Sequence, residues 1–161
     1  MLRKKTWDSL TDSKILELHP KIRVQAKMFI QMLEDRGINV RVYCAYRSPS
    51  EQLENWKKGR DQFGNVYNKS LVVTNARPFE SYHQYSLAFD CVEILNGKAQ
   101  WEGKNWEEIG HIGDYYGFEW GGRFMNFTDK PHFQMTFGKK CRDLKVLHDK
   151  VAYDKDGFLI F

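Results

Sequence analysis

The stretch Ser81-Tyr82-His83-Gln84-Tyr85-Ser86-Leu87-Ala88-Phe89-Asp90 constrains this chain more than any other. It sets a histidine and an aspartate seven positions apart in a sequence with only five histidines. From Leu87 to Leu95 apolar groups occupy both faces of the alternation, as in a strand covered on both sides. An aspartate in such a strand costs on the order of several kcal/mol unless it is paired or metal-bound. Asp90 therefore demands a partner. Farther along, Asp129-Lys130-Pro131-His132-Phe133-Gln134 offers a second imidazole and a further carboxylate.

A catalytic zinc site takes about three protein ligands and leaves a position for water. His83, Asp90 and His132 supply such a set. Ala88 lies two residues before Asp90, on the same strand face, and its methyl leaves room for a metal and for His83 to fold back over it. Ser81 can orient that turn through its hydroxyl. Pro131 stiffens the approach of His132 by fixing its own φ. Asp129, three residues before His132, is placed to exchange protons with an attacking water. The competing reading of Asp90 is a buried ion pair with an arginine such as Arg47. His19, His111 and His148 read as ordinary surface or core histidines.

The rest of the chain predicts an α+β fold, a small central antiparallel sheet flanked by helices. Leu10, Ile15 and Leu16 have helical spacing. Pro20 opens a longer helix over 20–36, and Gly37 ends it. Residues 38–46 alternate like a strand. Ser48 or Ser50 caps a helix over 50–58, with Pro49 and Glu51 in its first turn. Residues 59–80 read as a long irregular connection forming a cleft wall. Asn96-Gly97 predicts a hairpin returning over 98–101. Asn105 is expected to cap a helix over 106–116. Residues 118–123 read as a loop, 132–136 as a strand, 139–151 as a short basic helix and 158–161 as an edge strand.

The chain reads as one domain, 1–161, with 138–161 an extension. The extension either packs through Leu144, Val146 and Leu147 or presents Lys139, Lys140, Arg142, Lys145 and Lys150 to a polyanionic polymer. The net charge of +4 is too small and scattered to mark a nucleic-acid binder. Three widely spaced cysteines form neither a disulfide framework nor a cysteine zinc site, and Cys44 and Cys91 read as buried small hydrophobes. The basic N-terminus leads into no apolar run, so no signal peptide is expected, and no stretch approaches membrane-span length.

The pattern SxHxxxxAxD followed by DxPHF resembles the zinc peptidases of the D-alanyl-D-alanine carboxypeptidase and L-alanyl-D-glutamate endopeptidase group, with its phage endolysin branch. Tyr46-Arg47-Ser48 with Gln52, Gly59-Arg60 and Thr74-Asn75-Ala76 are similar to the group's upstream elements. The resemblance covers about residues 22–137. It implies a hedgehog- and DD-peptidase-like fold, a zinc ion on His83, Asp90 and His132, and Asp129 as general base. It further implies that Arg47 binds the scissile carbonyl oxygen and that Ser81 and Gln52 contact substrate. The DxPHF form resembles the L-alanyl-D-glutamate endopeptidase branch. The implied substrate is a peptidoglycan stem peptide. The alternatives are a D-Ala-D-Ala carboxypeptidase or a non-catalytic zinc-binding module. With no signal peptide expected, the setting is a monomer made in the cytoplasm that reaches the wall after phage or prophage lysis or by another export route, with no nucleic acid or membrane insertion involved. Most relatives carry glycine where this chain has Ser86, so a serine there is expected to alter the turn after His83.

Overall fold

The computed structural model describes residues 2–161. Its helices are α1 (Ser9–Leu16), α2 (Pro20–Asp35), α3 (Pro49–Lys57), α4 (Trp106–Tyr115) and α5 (Cys141–Asp149). Its strands are β1 (Val40–Cys44), β2 (Ala88–Leu95), β3 (Lys98–Ala99), β4 (Glu119–Trp120) and β5 (His132–Gln134). All strand pairs are antiparallel, in the order β1-β2-β5-β4, with β3 paired to the far end of β2. No helix among the described residues is long and apolar enough to cross a membrane.

The expected punctuation sets the helix ends. Pro20 sits in the first turn of α2, and Gly37 beyond its end has φ +78°. Ser48 caps α3 in a reciprocal box with Glu51, and Gly59 follows at φ +74°. Asn96 and Gly97 both take positive φ, as a tight two-residue hairpin turn requires.

Strand β2 is central, as its two-faced apolar pattern implies. The β2–β5 register is what matters for the site: Phe89 lies opposite Phe133, and Asp90 lies opposite His132. Phe29 of α2 packs on the first pair, with ring centroids 5.7 Å from Phe89 and 5.0 Å from Phe133, and all three are fully buried. Each such side chain contributes about 2–3 kcal/mol. Because side chains alternate, anchoring the phenylalanines on one face turns Asp90 and His132 to the other. Helix α4 locks the arrangement through bare backbone. A Cβ on Gly113 would lie 2.5 Å from the Phe133 ring.

The edge strand β1 is covered rather than open. Asp8 caps α1, pairs with Arg41 through both carboxylate oxygens and accepts from the Thr11 hydroxyl. Thr11 Oγ1 in turn accepts from the Val42 N–H, and Trp7 Nε1 donates to the Val40 carbonyl. These contacts occupy backbone groups that would otherwise invite another strand.

Four expectations are corrected. Residues 119–120 form strand β4 rather than a loop, because Trp120 pairs with Phe133 and buries its ring under α4. Asn105 makes no side-chain cap; its amide donates to Glu93 instead. Residues 158–161 form no strand, only an isolated bridge between Tyr153 and Leu159, since their backbone pairs with residues 152–154 of the same extension. In the extension Leu144 is buried and Leu147 partly so, but Val146 is 51% exposed on the outer face of α5. The extension backs onto the histidine turn: Tyr82 and Tyr85 donate their hydroxyls to the Lys139 and Cys141 carbonyls.

Candidate metal centre and cleft

His83 sits in a 3-10 turn, Tyr82–Tyr85, capped by Ser81, whose hydroxyl accepts from the His83 N–H. Gln84 returns a contact to the Ser81 N–H. Ser86 then closes the turn in the left-handed conformation, φ 58° and ψ 25°. The serine therefore keeps the backbone geometry that suits glycine, contrary to the expectation that it would alter the turn. The cost of such a residue is on the order of 1 kcal/mol or more. The Ser86 carbonyl, accepting from the His19 N–H, ties the turn to α2.

Three side-chain atoms converge at the end of β2. His83 Nε2 lies 3.1 Å from Asp90 Oδ1, His132 Nδ1 lies 3.1 Å from the same oxygen, and the two nitrogens are 3.2 Å apart. All three residues are buried. The outer ring nitrogens decide the chemistry. His83 Nδ1 lies 2.7 Å from the Ala45 carbonyl, which only accepts, so Nδ1 carries the hydrogen. His132 Nε2 lies 2.9 Å from Gln134 Oε1. The Gln134 amide is oriented by donating to Glu119, so its oxygen faces the histidine and His132 Nε2 also carries the hydrogen. In the neutral rings the facing nitrogens are then bare lone pairs. Two lone pairs and a carboxylate oxygen at such spacing repel one another unless a positive charge lies among them.

This donor set fits a divalent metal. Ligands about 2.0–2.2 Å from one zinc ion sit a little over 3 Å from each other. The electrostatics agree. Burial disfavours imidazolium at His83, but Asp90 overcomes it and raises the group to about 10. Burial likewise opposes the Asp90 charge, yet the two histidines hold its carboxyl well below the ordinary range. The pocket thus favours a positive charge at its centre.

Asp90 also makes the contact named as its competing reading. Its Oδ2 accepts from Arg47 Nη2 at 3.0 Å while Oδ1 faces the histidines. Asp90 serves both partners at once. Arg47 Nη1 donates to Gln52 Oε1 at 3.1 Å, and Gln52 Nε2 donates to the Ala76 carbonyl at 2.7 Å. Gln52 is wholly buried and lies behind the cleft, which corrects its expected place at the substrate surface. Its short amide is consumed in holding Arg47 against the cleft wall.

The cleft over this centre has a volume of about 610 Å³. One wall is Val73–Ala76 from the long connection, as expected, and the other is Phe124–Phe127. Arg47, Ser81, Asp129 and the three converging residues also line it. Burial and the Asp90 charge raise the Asp129 carboxyl above its ordinary range, against the pull of the histidines and Arg47.

Sequence reasoning missed four contributors. Gln134 and Glu119 orient His132. Gln134 was findable, since it shares the His132 strand face two residues on. Glu119 was not, because strand β4 was read as a loop. Cys44, expected as a buried hydrophobe, is half-buried with its sulfur 3.3 Å from Arg47 Nη2 and 3.9 Å from His83 Nδ1. Cys44, His83 and Asp90 offer ligand atoms within 4.8 Å of one another. The His83 nitrogen nearest the sulfur is nevertheless the one donating to Ala45, so the open lone pairs point elsewhere. Tyr43, the fourth, also lines the cleft.

Residues 74–135 match the family described as D-alanyl-D-alanine carboxypeptidase. The chain is 36% identical over 129 residues to the peptidoglycan L-alanyl-D-glutamate endopeptidase CwlK of Bacillus subtilis (strain 168), covering 74% of each chain. It is 25% identical over 127 residues to the L-alanyl-D-glutamate peptidase of Listeria phage A118, covering 75% of this chain and 39% of that protein. Among solved structures, the Serratia marcescens L-Ala D-Glu endopeptidase ChiX matches with a TM-score of 0.57 at 22% identity, over 88% of this chain and 94% of that one. The D,D-pentapeptidase VanY E175A mutant from the VanB-type resistance cassette, in complex with Zn(II), matches with a TM-score of 0.53 at 18% identity, over 73% and 72%. At these identities the structural likeness speaks for the fold. The sequence match to CwlK, long on both chains, carries the assignment: this chain belongs to the zinc peptidase family of D-alanyl-D-alanine carboxypeptidases and L-alanyl-D-glutamate endopeptidases.

Proposed function

We propose that this protein is a zinc-dependent peptidoglycan hydrolase that cleaves the L-alanyl-D-glutamate amide of the stem peptide. The observation that carries the reading is the convergence of His83 Nε2, Asp90 Oδ1 and His132 Nδ1 under a cleft that also holds Asp129 and Arg47. His83, Asp90 and His132 would hold the metal. Bound there, zinc supplies Lewis acidity and makes a water acidic enough to be activated near neutral pH.

Asp129 acts as general base. It takes a proton from the water as the water oxygen bonds to the amide carbon, then gives a proton to the leaving nitrogen as the C–N bond breaks. Its raised carboxyl suits a group that must both take and return a proton. Arg47, fixed by Asp90 and Gln52, keeps further N–H donors for the oxygen that gains charge during attack. Ser81 shapes the turn under the substrate and lines the cleft beside it.

Asp129→Asn keeps its zinc but loses at least about a hundredfold in turnover. Mass spectrometry of peptidoglycan digested with wild type, with and without chelator, identifies the bond. A cut after the first L-alanine supports the proposal, and loss of a terminal D-alanine alone identifies a carboxypeptidase instead. That second reading is favoured by the family description matched at residues 74–135. Zinc binding without turnover on any wall fragment identifies a binding module. On the endopeptidase reading the substrate is the wall, reached after release from the cell.

A further inference from the structure

Strand β1 breaks its register at one residue. Val42 pairs with Cys91 and Cys44 pairs with Asp90, so two steps along β1 match one step along β2. Tyr43 is the extra residue. Such a bulge re-aims side chains, and bulges concentrate beside active sites. Here it has a visible consequence. In a regular strand consecutive residues face opposite ways. Tyr43 nevertheless lines the cleft with Arg47, Asp90 and Asp129, while Cys44 next to it reaches Arg47 and His83 with its sulfur.

The Tyr43 ring is held in place from outside. Trp101 meets it edge-on, with centroids 5.6 Å apart and planes at 76°. The hydroxyl, by contrast, has no hydrogen-bond partner among the described residues. The other tyrosines beside the site differ: the Tyr82 hydroxyl donates to the Lys139 carbonyl, and the Tyr85 hydroxyl lies against the Phe79 and Cys141 carbonyls. Partial burial, then the charges of Asp90 and Asp129, keep the Tyr43 phenol protonated. Tyr43 is therefore a neutral donor lining the cleft with its proton uncommitted.

Arg47 is the other donor at this wall, but part of its guanidinium is committed to Asp90, Cys44 and Gln52. A second donor has a clear use. An amide carbonyl oxygen gains negative charge as its carbon is attacked, and a donor fixed in advance stabilises that charge without reorganising.

We propose that Tyr43 is a catalytic residue whose hydroxyl donates a hydrogen bond to the substrate carbonyl oxygen as it becomes an oxyanion, alongside Arg47. The proposal rests on the peptidase reading above.

The test is Tyr43→Phe, which removes one oxygen and keeps the ring on Trp101. Three measurements are made on zinc-loaded proteins. They are kcat and KM on a synthetic stem peptide, calorimetric affinity for a phosphinic isostere of that peptide, and melting temperature. The phosphinate places an anionic tetrahedral oxygen where the oxyanion forms. The expected result is a fall in kcat of about tenfold to a hundredfold with KM within about threefold. Phosphinate affinity falls by a similar factor, and zinc content and melting temperature stay unchanged. An unchanged kcat overturns the role, and so does a rise in KM alone, which marks ground-state contact. A wild-type protein that cuts no stem peptide sinks the activity reading itself, whereas a wild type and a Phe variant that cut equally well sink only the role of Tyr43.

Discussion

Arg47 Nη2 stands 3.0 Å from Asp90 Oδ2, on the carboxylate oxygen that the two histidines leave free. The contact joins the histidine–aspartate cluster to the cleft wall, since Arg47 also reaches Gln52, which reaches Ala76. A planar fork reaches Asp90 and Gln52 from two different nitrogens and still presents an N–H to substrate, whereas the three donors of an ammonium share one nitrogen and do not reproduce that spread. Arg47→Lys is therefore expected to retain zinc and fold while losing on the order of a hundredfold in kcat. Steady-state kinetics beside elemental analysis checks this. Retention of more than half the wild-type kcat would remove Arg47 from the transition state.

The relay Glu119–Gln134–His132 fixes which His132 nitrogen is bare. Groups that orient a metal-binding histidine typically contribute tenfold to a hundredfold in affinity. Gln134→Ala should weaken zinc binding by that factor, and Glu119→Gln by less, because a glutamine can still accept from the Gln134 amide. Competition with a chromophoric chelator measures both. Equal affinity in wild type and Gln134→Ala would show that the ring is oriented by packing alone.

Ser86 holds φ 58° with its side chain buried. Glycine takes that conformation without strain, and a β-branched residue resists it. Ser86→Gly is expected to melt at or above the wild-type temperature. Ser86→Val should lose about 2 kcal/mol or more and weaken zinc binding, since His83 lies in the same turn. Denaturant unfolding of the two variants distinguishes this from a turn indifferent to its backbone, in which both would match wild type.

His19 joins the N-terminal half to the extension. Its Nδ1 accepts from the Lys21 N–H and its Nε2 donates to the Leu159 carbonyl, while Phe158 and Phe161 pack around the ring. Burial depresses its pKa, the Leu159 carbonyl opposes that, and Lys21 and Arg23 nearby add to the depression against Asp154. The unfolded chain thus takes a proton at higher pH than the folded one. The stability from a neutral His19 is present above about 6.5 and declines as pH falls toward the depressed folded value. Melting temperature from pH 8 to 5 should drop more steeply for wild type than for His19→Gln. Parallel curves would mean that His19 titrates alike in both states.

Local chemistry made much of the fold legible. Pro20, Gly37, the Ser48–Glu51 box and Asn96-Gly97 each constrain backbone dihedrals within a few residues, so the corresponding ends fell where expected. The two-faced apolar run of β2 disclosed a central strand because burial on both sides leaves that pattern whatever the neighbours are. Strand β4 escaped notice because two residues carry no periodicity. Asn105 and the 158–161 tail misled because capping and edge-strand signals describe what a segment can do, and a distant Glu93 or the turn of the tail back onto residues 152–154 decides otherwise.

The sequence by itself determined which donors the site has and on which strand face Asp90 stands, since residue type sets the chemistry and alternation sets the face. Tertiary structure alone decided the rest. The Phe89–Phe133 register brings His132 opposite Asp90. Packing sinks Gln52 behind Arg47. A bulge, invisible until β1 is paired with β2, turns Tyr43 toward the cleft. Each of these depends on which atoms of two remote segments come into contact, and no pattern along one segment encodes that.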